Sequence, residues 1–295
     1  MEFINTLVNG LNIGVIYAMI ALGYTMVYGI AKMLNFAHGD IIMVGGYTIY
    51  VFCAMKAASS PAFFFVAIAM AVIVCTLLGV IVEKVAYKPL RGASPLAVLI
   101  TAIGVSYLLR SLAQIIFKSA MKFVSVPELG KVSIGAVSIK VSTIITLVVS
   151  IAVMISLSLF VKYSKTGRAM IAVSEDRGAA QLMGINVNSI ITITFAIGSA
   201  LAALAGLFYL LQSPSIYNTF GAMHGIKAFT AAVIGGIGSI PGAMLGSIVL
   251  GMIETICDSF AVIAPYKDAI EFSILIIILL VRPTGILGKK RREKV

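Results

Sequence analysis

An all-α fold that crosses a membrane many times is predicted by three observations. Hydrophobic residues make up 60% of the 295-residue chain and charged residues only 11%, roughly half the charged share of a globular surface. Mean hydropathy is +1.09. Apolar runs of about 20 residues recur from end to end, each long enough as a helix to cross a hydrocarbon core of about 30 Å. No polar stretch has the length of a soluble domain, so residues 1–295 read as a single membrane domain.

The expected spans are 8–31, 36–56, 61–83, 95–117, 140–161, 190–212, 227–240, 241–260 and 268–286. The first follows "MEFINT", which carries Glu2 and no basic residue; without a basic n-region it reads as a retained span rather than a cleaved signal. The second opens inside "LNFAHGDIIMVGGY". The seventh is short and glycine-rich: a half-helix, or the first arm of a broken helix turning at "GSIPG". The count is therefore eight to nine.

The net charge is +11, but its distribution excludes nucleic acid as a partner. Loops 84–94 and 162–189, the tail after Val281 and the 32–35 turn hold about fourteen of the 22 Lys and Arg residues, the bias that keeps basic loops cytoplasmic. Anionic lipid headgroups and cytoplasmic proteins are the expected partners. An odd number of spans places the N-terminus outside and the C-terminus in the cytoplasm. Lys118, Lys122, Lys131 and Lys140 then fall in an external loop, and dropping one span would move the N-terminus inside.

Small residues recur every fourth position at Gly10, Gly14 and Ala18, at Gly198, Ala202 and Gly206, and at Gly238, Gly242 and Gly246. Close backbone approach at such positions drives much of helix association in lipid. Cys53, Cys75 and Cys257 sit in apolar runs without pairing or ligand spacing and read as small core residues. Glycine-interrupted runs in each half, "MVGGY" and "VIGGIGSIPGAMLG", suit a structural duplication.

Enzymatic readings find no support. There are two histidines, His38 and His224, and no third ligand at zinc-site spacing. Neither H-E-x-x-H nor G-x-S-x-G occurs, and Lys165-Thr166 lacks the glycines of a phosphate-binding loop. No metal, cofactor or catalytic residue is expected.

Function then rests on polar residues in or beside the membrane. Asn35, His38 and Asp40 lie where the chain turns into the second span, just before Gly45 and Gly46. They read either as caps for that helix or as the mouth of a translocation pathway, and the two roles are compatible. Arg110, inside the fourth span, is expected to snorkel or to pair with a carboxylate. Glu254 and Asp258 share a helix face and could pair with Lys227 or Lys267.

The longest hydrophilic insertion is "KYSKTGRAMIAVSEDRGAAQLMGINVNS", 162–189. Ala169 to Met183 is rich in helix formers and Gly184 is placed to stop the helix. Ala172, Ala179, Ala180 and Met183 give it a small apolar face, with Glu175, Asp176 and Arg177 as polar contacts. A short amphipathic helix of this kind suits a groove on a partner protein; the alternative is a helix lying on lipid headgroups.

"GAAQLMG", Gly178 to Gly184, resembles the Glu-Ala-Ala-x-x-x-Gly coupling loop of ABC importer permeases. Ala179, Ala180 and Gly184 match; Gly178 stands at the acidic position, with Glu175 or Asp176 nearby to replace it. "LNFAHGD", "GRA…EDRGAAQLMGIN", "KAFTAAVIGGIGSIPGAMLGSIVLG" and "RPTGILG" occur in order over nearly the whole chain and resemble LivH-type permeases of branched-chain amino acid ABC importers.

The resemblance implies a multi-pass permease of the bacterial inner membrane. It implies a second homologous permease, two cytoplasmic ATPases at the coupling segment, and an external binding protein that delivers leucine, isoleucine or valine. Alternating access driven by ATP is the implied mechanism. The rivals are a related importer for urea, short amides or other amino acids, a stand-alone channel or secondary transporter, and, least favoured, a membrane-embedded enzyme.

Overall fold

The computed structural model describes residues 2–55, 61–127, 129–134 and 137–288. The long helices are α1 (Glu2–Ala31), α2 (His38–Ala54), α3 (Pro61–Val82), α4 (Pro95–Phe117) and α5 (Val141–Tyr163). They continue with α8 (Val187–Gln212), α9 (Phe220–Gly235), α10 (Ile240–Asp258) and α11 (Lys267–Val281). Two short helices, α6 (Lys165–Glu175) and α7 (Arg177–Leu182), lie between α5 and α8. Among the described residues, six helices are long and apolar enough to cross a membrane: α1, the α3 helix with its extension to Leu90, α4, α5, α8 and α10. At 17, 16 and 15 residues, α2, α9 and α11 reach only about 22–26 Å.

The centre of the bundle is α1 and α8. Buried residues make up 83% of the apolar window of α1 but only 22% of those of α4 and α5, so α4 and α5 turn wide apolar faces outward. α1 runs antiparallel to α10: Gly10 lies against Met252, Gly14 against Ile248, and Gly29 against Gly238. Gly198 of α8 meets Gly23 of α1, and Gly206 meets Ile42 of α2. The small-residue rows are thus seams within the subunit, as expected of packing in lipid.

The "GSIPG" stretch is a reversal between two antiparallel helices. α9 ends at Gly235, followed by Gly236 at φ +111°, and α10 starts at Ile240, with the Ser239 hydroxyl accepting from Gly242 N. α9 begins at Phe220, seven residues before the expected start of that span. Lys227 therefore lies inside the helix and is buried.

At one end of the bundle lie the close of α1, the turns at 83–94 and 236–239, and α6–α7. The opposite end holds the start of α1 and two small antiparallel pairings that the helical reading did not anticipate. β1 (Lys122–Phe123) pairs with β4 (Ser215–Ile216), and β2 (Lys131–Ile134) with β3 (Val137–Lys140). Cys75 and Cys257 are buried and Cys53 half-buried, all as free thiols.

Candidate functional site

The chain between α1 and α2 does not turn at the membrane boundary. α1 stops where Lys32 adopts φ +53°, a left-handed ending typical of a helix C-terminus. Residues 32–37 then run back into the bundle without helical structure. His38, the first residue of α2, lies against Gly23 of α1, eight residues and about 12 Å inside the end of that helix. Irregular backbone at such depth is tolerated where protein buries it. α2 therefore starts inside the bundle, not at the end of α1.

Two neighbours make that start possible. Asn35 Oδ1 accepts from the Tyr87 hydroxyl at 2.9 Å, and Tyr87 is itself held by a single π-turn, Glu83–Tyr87. Gly39 meets Gly221 of α9 so closely that a Cβ on Gly221 would land on the Gly39 carbonyl oxygen.

Asn35 and Asp40 do not cap α2, contrary to expectation. The N-cap is Ala37, with no side-chain hydrogen bond. Asp40 instead reaches α4: Oδ1 accepts from Arg110 Nε at 2.7 Å and Oδ2 from the Ser106 hydroxyl. A carboxylate in the first turn of α2 also complements the helix dipole, but its two oxygens are spent on the tertiary partners. Asp40 is fully buried and Arg110 is 26% exposed. Ser106 lies eleven residues into α4, about 16 Å from its start. This is a paired charge at mid-depth, and it satisfies the expectation that Arg110 pairs with a carboxylate.

His38 is buried against Tyr24 with ring centroids 4.7 Å apart, and its Nε2 has no hydrogen-bond partner. Gly45 packs on Cys75 and Ala203, and Gly46 on Ile216 and Leu210. These contacts fasten α2 to α3 and α8. Asn35, His38, Asp40, Gly45 and Gly46 are all buried in this conformation.

A second charge cluster ties α9, α10 and α11 together. Lys227 Nζ lies 2.7 Å from Glu254, 2.8 Å from Asp268 and 3.3 Å from Glu271, and Glu254 also accepts from the Tyr17 hydroxyl. Lys267 pairs with Asp258 at 3.0 Å. Sequence spacing identified Glu254, Asp258 and both lysines; Tyr17, Asp268 and Glu271 needed the fold.

The segment 162–189 forms two helices where one was expected. The break is at Asp176, whose backbone is extended and whose Oδ1 accepts from Ala179 N at 3.0 Å, capping α7. Asp and Asn oxygens favour that position because the first N–H groups of a helix have no internal partner. Gly184 ends α7 at φ +80°, as its position predicted. Met170 and Val173 bury α6 against the bundle, and Ala180 buries one side of α7. Ala179 is exposed, and Leu182 and Met183 are 90% and 81% exposed. The expected single apolar face is thus split: α6 turns inward and the end of α7 points out. Glu175 and Asp176 are exposed.

Arg177 links the two regions. Its guanidinium donates to the carbonyl oxygen of Ala31, the last residue of α1. Burial, with the nearby charge of Arg91, lowers the Arg177 pKa from its ordinary value. Arg91 in turn bridges Glu83 and Asn188, and Thr192 donates to Glu83 at 2.8 Å.

Against known proteins, residues 6–279 match a family described as the permease component of branched-chain amino acid transport systems. The chain belongs to this family. Among curated relatives of these permease components, BraD of Pseudomonas aeruginosa, named a high-affinity branched-chain amino acid transport system permease protein, is 45% identical over all of this chain and 98% of its own. LivH of Escherichia coli K12, named likewise, is 41% identical with the same coverage. A fructose import permease of Bifidobacterium longum, FruG, is 26% identical over 91% of this chain and 82% of its own. Among solved structures, PsaBC of Streptococcus pneumoniae aligns over 94% of this chain and 91% of that one, at a TM-score of 0.49 and 16% identity, too low to place a function. As a member of the permease family the chain is a multi-pass membrane permease subunit.

Proposed function

We propose that this chain is the membrane-spanning subunit of an ATP-driven importer of leucine, isoleucine and valine. It forms the translocation pathway with a second, homologous permease. Two cytoplasmic ATPases bind it, and an external binding protein delivers the amino acid. Counting α2, α9 and α11 as crossings gives nine spans, with the N-terminus outside and the C-terminus in the cytoplasm. That places the basic turns 84–94 and 162–189 on the cytoplasmic side, the side the positive-inside bias favours.

The observation that carries the reading is the Arg177–Ala31 contact. α7 presents Leu182 and Met183 to the cytoplasm, where an ATPase groove would seat them. Its first residue grips the end of α1, where the irregular segment 32–37 begins. That segment leads to Asp40 and the start of α2 inside the bundle. A shift of α7 is therefore transmitted to α2 through residues 32–37. Asn35, His38, Asp40, Gly45 and Gly46 would form the moving wall of the pathway, packed shut here. Glu175, Asp176, Arg177, Ala179, Ala180 and Gly184 form the coupling element. Nucleotide can move this wall only if the ATPases bind the two states with different affinity.

The test is reconstitution with its ATPases, second permease and binding protein in liposomes. Uptake of the three branched-chain amino acids that requires ATP is the expected result. Uptake by this chain without ATPases, or ATP-driven uptake of urea or amides in preference to leucine, would remove the proposal.

A further inference from the structure

Asn5, Asn9 and Asn12 recur at spacings of four and three, which places them on one face of α1. A face of asparagines is unexpected in a helix otherwise this apolar. Together with α5, α8 and α10 it encloses a cavity of about 510 Å³ at the end of the bundle where α1 starts, a volume typical of small-molecule sites.

The lining is polar where packing would favour apolar contact. Asn12 is 2% exposed and its Oδ1 has no hydrogen-bond partner; Gln212 Oε1, on another wall, has none either. Thr146 of α5 faces the same space and is buried. Unpaired buried oxygens cost free energy unless a donor arrives. Both are acceptors that an ammonium group would satisfy.

Two lysines stand on the rim. Lys131 and Lys140 line the cavity and are direct cross-strand partners in the β2–β3 hairpin. Like charges placed opposite each other are destabilising, and an anionic group between them removes that penalty. Val8, Ile13, Ile139 and Leu211 supply an apolar wall. The lining carboxylate, Asp258, is already paired with Lys267, and the acceptors within, the lysines on the rim and the aliphatic wall match the three parts of a zwitterionic amino acid with a branched side chain. Deeper in the bundle, Ser150 of α5 meets Met19 Sδ of α1 at 3.2 Å, and Tyr17 is tied to Glu254. The space is closed on that side.

We infer that this cavity is an outward-facing station where the amino acid rests after leaving the binding protein, its ammonium toward Asn12 and Gln212 and its carboxylate toward Lys131 and Lys140. The inference rests on the import reading above, including its sidedness, and adds a site to it.

The experiment uses the complete importer in proteoliposomes, with Cys53, Cys75 and Cys257 replaced by alanine and Asn9→Cys introduced on the exposed part of the lining. A membrane-impermeant thiol reagent is added outside, with leucine-loaded or ligand-free binding protein. Loaded binding protein should slow labelling by about tenfold relative to ligand-free binding protein, the factor that 1.4 kcal/mol of occupancy provides. Equal protection by both forms means that a docked protein covers the mouth, and it overturns the inference. So does labelling unaffected by leucine, or a cysteine that never reacts because another subunit covers it. Asn12→Leu, and Asn9→Leu should the buried substitution fold poorly, should raise the KM for uptake; a KM unchanged in both variants overturns the inference. A wild-type complex that does not import leucine refutes the import reading itself; a working importer with an unprotected cysteine refutes the station alone.

Discussion

The α6–α7 segment and the re-entrant start of α2 are both polar interruptions in an apolar chain, yet they are built on opposite principles. α7 is made by its own neighbours: Asp176 caps it three residues ahead, and Gly184 ends it with a positive φ. The start of α2 has no local side-chain cap. Its N-cap makes no side-chain bond, and Asn35 and Asp40 are satisfied by Tyr87, Ser106 and Arg110, which lie 52, 66 and 70 positions away. A locally built element can move as a unit without unfolding. One built from distant partners moves only if those partners move too, as a gate requires.

The comparison can be broken by substitution. The largest effect is expected from Asp40→Ala, which leaves the Arg110 guanidinium without its carboxylate at mid-depth; losing one partner of a buried pair costs about 3–5 kcal/mol. Uptake should vanish, and the amount of folded permease extracted from membranes should fall. Replacing Asp40 and Arg110 together with leucine should restore much of the folded protein while uptake stays lost. If the double variant transports normally, Asp40 has no part in the pathway.

Next comes Gly221→Ala, which pushes a methyl group into the Gly39 carbonyl. Overpacking of this kind costs about 1–3 kcal/mol and should lower the thermal midpoint of the detergent-solubilised protein. Gly184→Val follows: space is open around Gly184, so its cost is the left-handed backbone alone, about 1–2 kcal/mol. It should leave membrane levels intact and abolish or sharply reduce uptake, by re-aiming Leu182 and Met183.

The smallest effect on stability is expected from Asp176→Ala, about 1 kcal/mol for a lost cap and confined to α7. Uptake should fall several-fold, Asp176→Asn should keep most of it, and binding of the ATPases in pull-down should weaken in proportion. Should Asp176→Ala instead lower the amount of folded protein as Asp40→Ala does, the distinction between local and long-range construction fails.

The same distinction explains what could be read in advance. Helix positions, the end of α7 at Gly184 and the pairing of Glu254 and Asp258 with Lys227 and Lys267 follow from spacing, caps and apolar runs, because each depends on residues a few positions apart or on charges with few alternatives in lipid. The break at Asp176 was also present in the sequence as a capping residue, but the strong helix formers on both sides concealed it. The roles given to Asn35 and Asp40 as caps failed for a different reason. In lipid a buried carboxylate is drawn to a cation more strongly than to helix N–H groups, and nothing near Asp40 in sequence announces that Arg110 is adjacent. The small pairings β1–β4 and β2–β3, at one end of an otherwise helical bundle, left no periodic signal at all.

By itself, the sequence determined that this chain lives in a membrane, how its helices are spaced, and which transporter family it resembles. These are properties of hydrophobic runs, basic loops and short ordered motifs, and they survive without knowing which helix touches which. Tertiary structure alone decided that α2 begins inside the bundle, that Arg177 holds the end of α1, that Asp40 pairs with Arg110, and that three asparagines face a cavity. Each of these brings together residues far apart in the chain. The free energy that selects them comes from satisfying polar groups where water is absent, a requirement that only the packed bundle can impose.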